Sequence, residues 1–159
     1  MREAANGRAA LDRLRDVSFV LDQLEDWNRR QDHPLCGKLD LDHVGMSGHS
    51  FGAVTTQGLM GQRLGGLSSE EPRLKAFLAM SPSSHRVASA ADAFGHIQKP
   101  VLCMTGTRDA SPIEGNLNPE TRRQVYAALP AGDKFQLVFG GGGHHAFGDA
   151  TFGVRTRVP

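Results

Sequence analysis

Three short stretches of this chain carry residue types that do chemistry when brought together. Gly48-His49-Ser50-Phe51-Gly52 places a serine two positions from a glycine on either side. In this nucleophile-elbow spacing, small flanking residues let the chain turn sharply from strand to helix and leave the hydroxyl exposed. A serine hydroxyl is far too weak an acid to ionise at neutral pH, so it needs a base, and the base needs a carboxylate to hold its tautomer. Asp109, at the end of Thr105-Gly106-Thr107-Arg108-Asp109, and His144, after the run Gly140 to Gly143, supply those types in the chain order Ser, Asp, His. The glycine-serine pattern alone is cheap, since 19 glycines in 159 residues give a chance expectation of about one in seven for this composition. Context decides whether it means anything.

The surrounding pattern supplies that context. Apolar residues at Leu11, Leu14, Val17, Leu21, Leu24 and Trp27 paint one stripe on a helix predicted from Arg8 to about Arg30. After a loop from Gln31 to Lys38, a strand is expected over Leu39 to Met46, ending at the elbow, and a helix from Phe51 through Met60 that fades in the glycines at 61, 65 and 66. Leu74 to Met80 reads as a buried strand closed by Ser81-Pro82, Ala90 to Ile97 as a short helical turn, and Val101 to Thr105 as another strand. Asn118-Pro119-Glu120 offers an N-cap, a first-turn proline and an acid for a helix to Leu129, and Phe135 to Phe139 is the last strand. Strands alternating with helices imply an α/β fold, a parallel sheet of about four strands flanked by helices in a single domain, residues 1–159. Ser50, Asp109 and His144 then each follow the carboxyl end of a different parallel strand, where the functional loops of such sheets lie.

Length and charge narrow the classes. The net charge is +1 and no apolar run approaches a membrane span, which argues against a nucleic-acid-coating polycation and against a membrane protein. The opening residues lack the apolar core of a signal peptide, so the chain as given reads as cytoplasmic, with secretion left open for a longer precursor. Cys36 and Cys103 match neither a disulfide-dense scaffold nor a CxxC metal motif, and His144-His145 lacks accompanying ligand spacing, so neither a metal nor a cofactor is expected. Plainer readings stand beside the chemical ones. Ser50 could merely cap a helix, and Asp109 could be a turn residue beside Arg108. His33, His43, His85 and His96 read as structural or exposed, and His49 either lines the site or is exposed. Arg122 and Arg123 read as a solvated helix face. Gly140 to Gly143 reads as a loop free enough to position a base poorly.

The stretches His43-Val44-Gly45-Met46-Ser47-Gly48-His49-Ser50-Phe51-Gly52, Pro100 to Asp109 and Gly142-Gly143-His144-His145-Ala146-Phe147 resemble the α/β-hydrolase superfamily. Within it they are similar to the dienelactone-hydrolase-like and platelet-activating-factor-acetylhydrolase-like serine esterases. The resemblance implies a carboxylesterase-like enzyme acting on a small soluble ester through an acyl-enzyme, with Ser50 as nucleophile, His144 as base, Asp109 as its orienter and the Phe51 backbone N–H in the oxyanion hole. By the family pattern the histidine precedes a phenylalanine by three positions, which favours His144 over His145.

That family has about eight strands, and the resemblance starts at the helix before the nucleophile strand, so the chain reads as truncated in its amino-terminal half. The loop that usually carries a second oxyanion donor lies in that half, and low activity is expected. The nucleophile strand then lacks an outer neighbour, leaving an open edge lined by Leu39, Leu41, Val44 and Met46. Such an edge, with a thin core, predicts a homodimer or higher homo-oligomer. The alternative is a non-catalytic remnant of the fold that serves as an oligomerising or binding module.

Overall fold

The structure, a computed structural model, describes residues 7–84, 89–111 and 117–148. In chain order they form α1 (Gly7–Arg29), β1 (Val44–His49), α2 (Phe51–Leu59), β2 (Arg63–Leu64), β3 (Leu67–Ser68), β4 (Leu74–Met80), α3 (Ala90–Phe94), β5 (Val101–Arg108), α4 (Pro119–Ala127), β6 (Lys134–Gly143) and a 3-10 turn (His144–Phe147). Four strands pair in parallel in the order β1-β4-β5-β6. Helices return the chain between them, so this is the α/β architecture expected from the alternation of strand and helix. β2 and β3 form a separate antiparallel hairpin turned by Gly65 and Gly66 at φ 57° and 83°. It had no place in the sequence-based expectation, although a Gly-Gly pair between short polar-apolar runs is a hairpin signal.

Alternate residues of each strand face opposite ways, and only one face of the sheet is closed. Phe77 on β4 and Val101 and Cys103 on β5 pack with Leu21 of α1, Leu59 of α2, Phe94 of α3 and Val125 of α4 in one buried cluster. On the other face the register sets Leu78 beside Leu102 and Leu102 beside Phe135. There, among the described residues, no comparable layer covers the sheet: Phe135, Leu137 and Phe139 are exposed by 60%, 46% and 39%. Parallel sheets are normally covered on both faces.

α1 buries Leu21 and lays Leu14 against Gly58 of α2, where an added Cβ would come within 2.7 Å of the leucine. Leu11, at the start of the expected stripe, stays exposed. Arg73 anchors the same helix to the chain ahead of β4. It binds buried Glu71 at 2.8 Å, Asp22 at 2.6 Å and Glu25 at 3.1 Å, and Ser18 donates to Glu71. These partners hold the Glu71 carboxyl well below the usual range, at about 2, the Arg73 hydrogen bond contributing most.

Expected boundaries move at the start of β1 and at the ends of β5 and β6. β1 begins at Val44 rather than Leu39, because the Asn28 amide brackets the Leu39 backbone with two hydrogen bonds and Asp40 accepts from the Asp42 N–H. Such local side-chain bonds compete with a ladder, and Leu39 and Leu41 therefore lie outside the edge strand. The glycine run is no tether: β6 continues through Gly143, opposite Arg108 of a β5 that runs three residues beyond Thr105. A Cβ on Gly106 would collide with the Gly142 backbone, so β5 needs a glycine here to keep β6 this close. Among the described residues no helix is long and apolar enough to cross a membrane.

Candidate active site

The turn from β1 to α2 is a single residue. Ser50 adopts φ 57° and ψ −113° between strand and helix, a conformation that costs a non-glycine residue energy, and its N–H is held by the Met80 carbonyl at 3.0 Å. Gly48 makes the turn possible. A Cβ there would run into the backbone of Gly52 and the Thr56 hydroxyl, so any side chain would push α2 off the strand. Gly52 has open space around its own Cβ direction, and its smallness is not demanded by contact.

The carboxyl ends of β5 and β6 bring two further groups to Ser50. His144 opens the 3-10 turn after β6, with Nε2 2.8 Å from Ser50 Oγ and Nδ1 2.8 Å from Asp109 Oδ1. Asp109, just past β5, is fully buried, and its second oxygen accepts from Thr105 Oγ at 2.8 Å. The three residues that the sequence singled out therefore stand in one hydrogen-bonded series. Phe51, which follows the serine, presents its N–H at the head of α2, where a helix leaves its first donors without intrahelical partners. His145 is exposed and stands edge-on to the His144 ring.

Arg122 contradicts its expected place. Arg123 is solvent-exposed, but Arg122 is 1% exposed on the inner side of α4. Its Nε donates to the Asp109 carbonyl at 2.7 Å and lies 3.0 Å from Asp109 Oδ1. Nη1 donates to the Ser81 and Pro82 carbonyls, and Nη2 lies 3.2 Å from His144 Nδ1. The missed signal was periodic: Arg122, Val125 and Leu129 fall at i, i+3 and i+7, the spacing of the buried stripe. His49 was the other open case. It lines the site, donating from Nε2 to the His144 carbonyl at 2.8 Å with its ring 4.8 Å from the His144 ring.

Burial alone would push the Asp109 carboxyl up. The hydrogen bonds from His144, Ser81 and Thr105 and the Arg122 charge outweigh it, and the net pKa lies below the usual carboxylate value. Burial also lowers the Arg122 guanidinium, against the pull of Asp109, yet an arginine stays charged in proteins. His49 is shifted down, first by burial and then by the charge of His144, so it is neutral at pH 7.

The other histidines have structural contacts. His33 stacks on Trp27, His43 pairs with Asp40, and His96 meets the Gly61 carbonyl; His85 lies outside the described residues. Among the described residues no three His, Cys, Asp or Glu side chains are grouped to hold a metal. Cys103 is buried with its thiol pushed up to about 12 by desolvation, which makes it a packing residue rather than a nucleophile.

No protein-family model and no curated protein matches the chain. Among solved structures it is similar to a variant of SOBER1 from Arabidopsis thaliana, with a TM-score of 0.50 and 16% identity over 87% of this chain and 58% of that one. At that identity the likeness shows the fold alone, which is of the α/β-hydrolase type. The chain spans less than two thirds of that neighbour's length.

Proposed function

We propose that the chain is a serine ester hydrolase, of the dienelactone-hydrolase-like and platelet-activating-factor-acetylhydrolase-like kind, working through an acyl-enzyme on small soluble esters. The observation that carries this reading is the unbroken series from Ser50 Oγ through His144 to the buried Asp109 carboxylate. Ser50 Oγ attacks the ester carbonyl carbon as its proton passes to His144 Nε2, and Asp109 accepts from Nδ1–H throughout, so the imidazolium forms beside a fixed negative charge. The Phe51 N–H donates to the carbonyl oxygen as it becomes anionic. Collapse of the tetrahedral species breaks the bond to the alcohol, which leaves with the proton from Nε2. Water then attacks the acyl-serine by the same steps, releasing the acid and restoring the hydroxyl.

Each such donor matters, since loss of a single one costs a protease about 10²- to 10³-fold in turnover. Replacing Ser50 by alanine tests the proposal with a short-chain nitrophenyl ester and circular dichroism. A folded variant at the background rate supports the assignment, whereas unchanged hydrolysis removes it.

The bare face carrying Phe135, Leu137 and Phe139 favours a second reading, in which the fold is an oligomerising or binding module without catalysis. The same face and the free edge of β1 support assembly into a homodimer or larger homo-oligomer under either reading.

A further inference from the structure

Arg122 is the most deeply buried charged side chain that the ester-hydrolysis steps leave unused, and its contacts are not those of an ion pair alone. A guanidinium can only donate, from five N–H groups in a planar fork. Here the fork reaches the carboxyl ends of three parallel strands. Nη1 holds the Ser81 and Pro82 carbonyls after β4, Nε holds the carbonyl and carboxylate of Asp109 after β5, and Nη2 abuts His144 after β6. The segment after β4 is itself unusual: Ser81 is fully buried at φ 55°.

The contact with His144 carries a chemical consequence. Nδ1 has one site, and two groups compete for it. If it carries a proton it donates to Asp109 Oδ1 at 2.8 Å; if it is bare it accepts from Arg122 Nη2 at 3.2 Å. The second case leaves the proton on Nε2, where the imidazole donates to Ser50 and cannot act as its base. Which case holds depends on whether Asp109 is an anion, since a neutral acid at Oδ1 has far less claim on the proton. A guanidinium 3.0 Å from Oδ1 keeps it an anion.

We propose that Arg122 is a positioning residue of the triad, which keeps Asp109 ionised and aligned, and through it His144 in the Nδ1–H tautomer, while fastening the three strand ends together. This rests on the ester-hydrolase reading for its functional meaning, though the tautomer itself does not depend on turnover. The charged and titratable groups that face the carboxylate are Arg122 from α4 and His144 from the turn after β6, with His49 at the end of β1 behind the imidazole. His49 is neutral and makes its contact with the His144 carbonyl, so the cation that holds Asp109 is Arg122.

The test uses the full chain with Arg122→Gln and Arg122→Lys, each checked by circular dichroism. Arg122→Gln should lower kcat by about 10²-fold, the scale of a small misplacement in an active site, with KM nearly unchanged. The acid limb of its kcat/KM profile should move to higher pH, because Asp109 without its cation protonates more readily. Arg122→Lys keeps the charge but not the fork, so its acid limb should return toward the wild type while kcat recovers only in part. Proton NMR of the imidazole N–H gives a readout free of substrate. The strongly downfield Nδ1–H signal expected of His144 beside an ionised Asp109 should lose its downfield position at a higher pH in Arg122→Gln than in the wild type as the solution is acidified. Protonation of the carboxyl weakens that bond while the proton stays on the imidazolium. An unmoved acid limb together with an unmoved N–H titration would reduce Arg122 to a packing residue and overturn the proposal. Should the glutamine variant not fold, a lysine variant with full kcat would overturn it equally. Failure of the hydrolase reading shows up separately, as turnover that survives Ser50→Ala, and the N–H signal still decides the role of Arg122.

Discussion

The loops at the carboxyl ends of the strands and the open face of the sheet are built to opposite standards. At the strand ends Ser50, His144, Asp109 and Thr105 join in one hydrogen-bonded series, with Arg122 and His49 bonding to it from two sides. On the open face Phe135, Leu137 and Phe139 stand in water. A catalytic constellation is local. It needs a few strand ends in register and a rigid layer beneath them, and the helices on the closed face supply that layer. Burying the second face adds stability and partners without moving a single group of the series.

If the strand-end region acts as a unit, substitutions there should cost rate far beyond their effect on folding. His144→Ala should lower kcat/KM by up to about 10⁶-fold for an ester substrate, with His145→Ala within a few fold of the wild type. Equal losses measured by steady-state kinetics would show that either ring can reach the serine. Gly48→Ala attacks the geometry rather than the chemistry. Its methyl meets the Gly52 backbone and the Thr56 hydroxyl, and overpacking of this sort costs about 1–3 kcal/mol. A lower urea midpoint and a loss of turnover should appear together.

The Glu71–Arg73 network probes the layer beneath. The Glu71 carboxyl is held at about 2 against an ordinary value of 4.5, so its contribution is fully present above pH 4.5 and disappears as the pH falls toward 2. Arg73→Gln should cost roughly 2–3 kcal/mol at neutral pH and less near pH 3. Denaturant melts at the two values would show the difference, with activity per folded molecule unchanged. The smallest catalytic effect belongs to the open face. Leu137→Lys should weaken self-association in light scattering while leaving kcat nearly untouched; a variant that still assembles like the wild type would move the interface to the edge of β1 or elsewhere.

The same division marks what could be read from the residues alone. Strand and helix alternation, the elbow at Ser50 and the order of Asp109 and His144 are short-range or chain-order properties, and each left its pattern in residue types. The close approach of Gly106 to the Gly142 backbone is not of that kind. A glycine run looks like a loop until the neighbouring strand is known to need its backbone within contact distance. Leu39 and Leu41 have strand-like alternation, but the Asn28 amide takes the Leu39 backbone first. Arg122 was hidden by chemistry: a charged residue beside another arginine reads as surface, and only the partners at three distant strand ends make its burial tolerable.

Reaction of the purified chain with a fluorophosphonate probe, followed by peptide mass mapping, tests the central claim most directly. The account predicts one phosphonyl group per chain, on Ser50, and lost in His144→Ala while the protein remains folded. A folded protein whose Ser50 stays unlabelled, or is labelled at the same rate without His144, would contradict it.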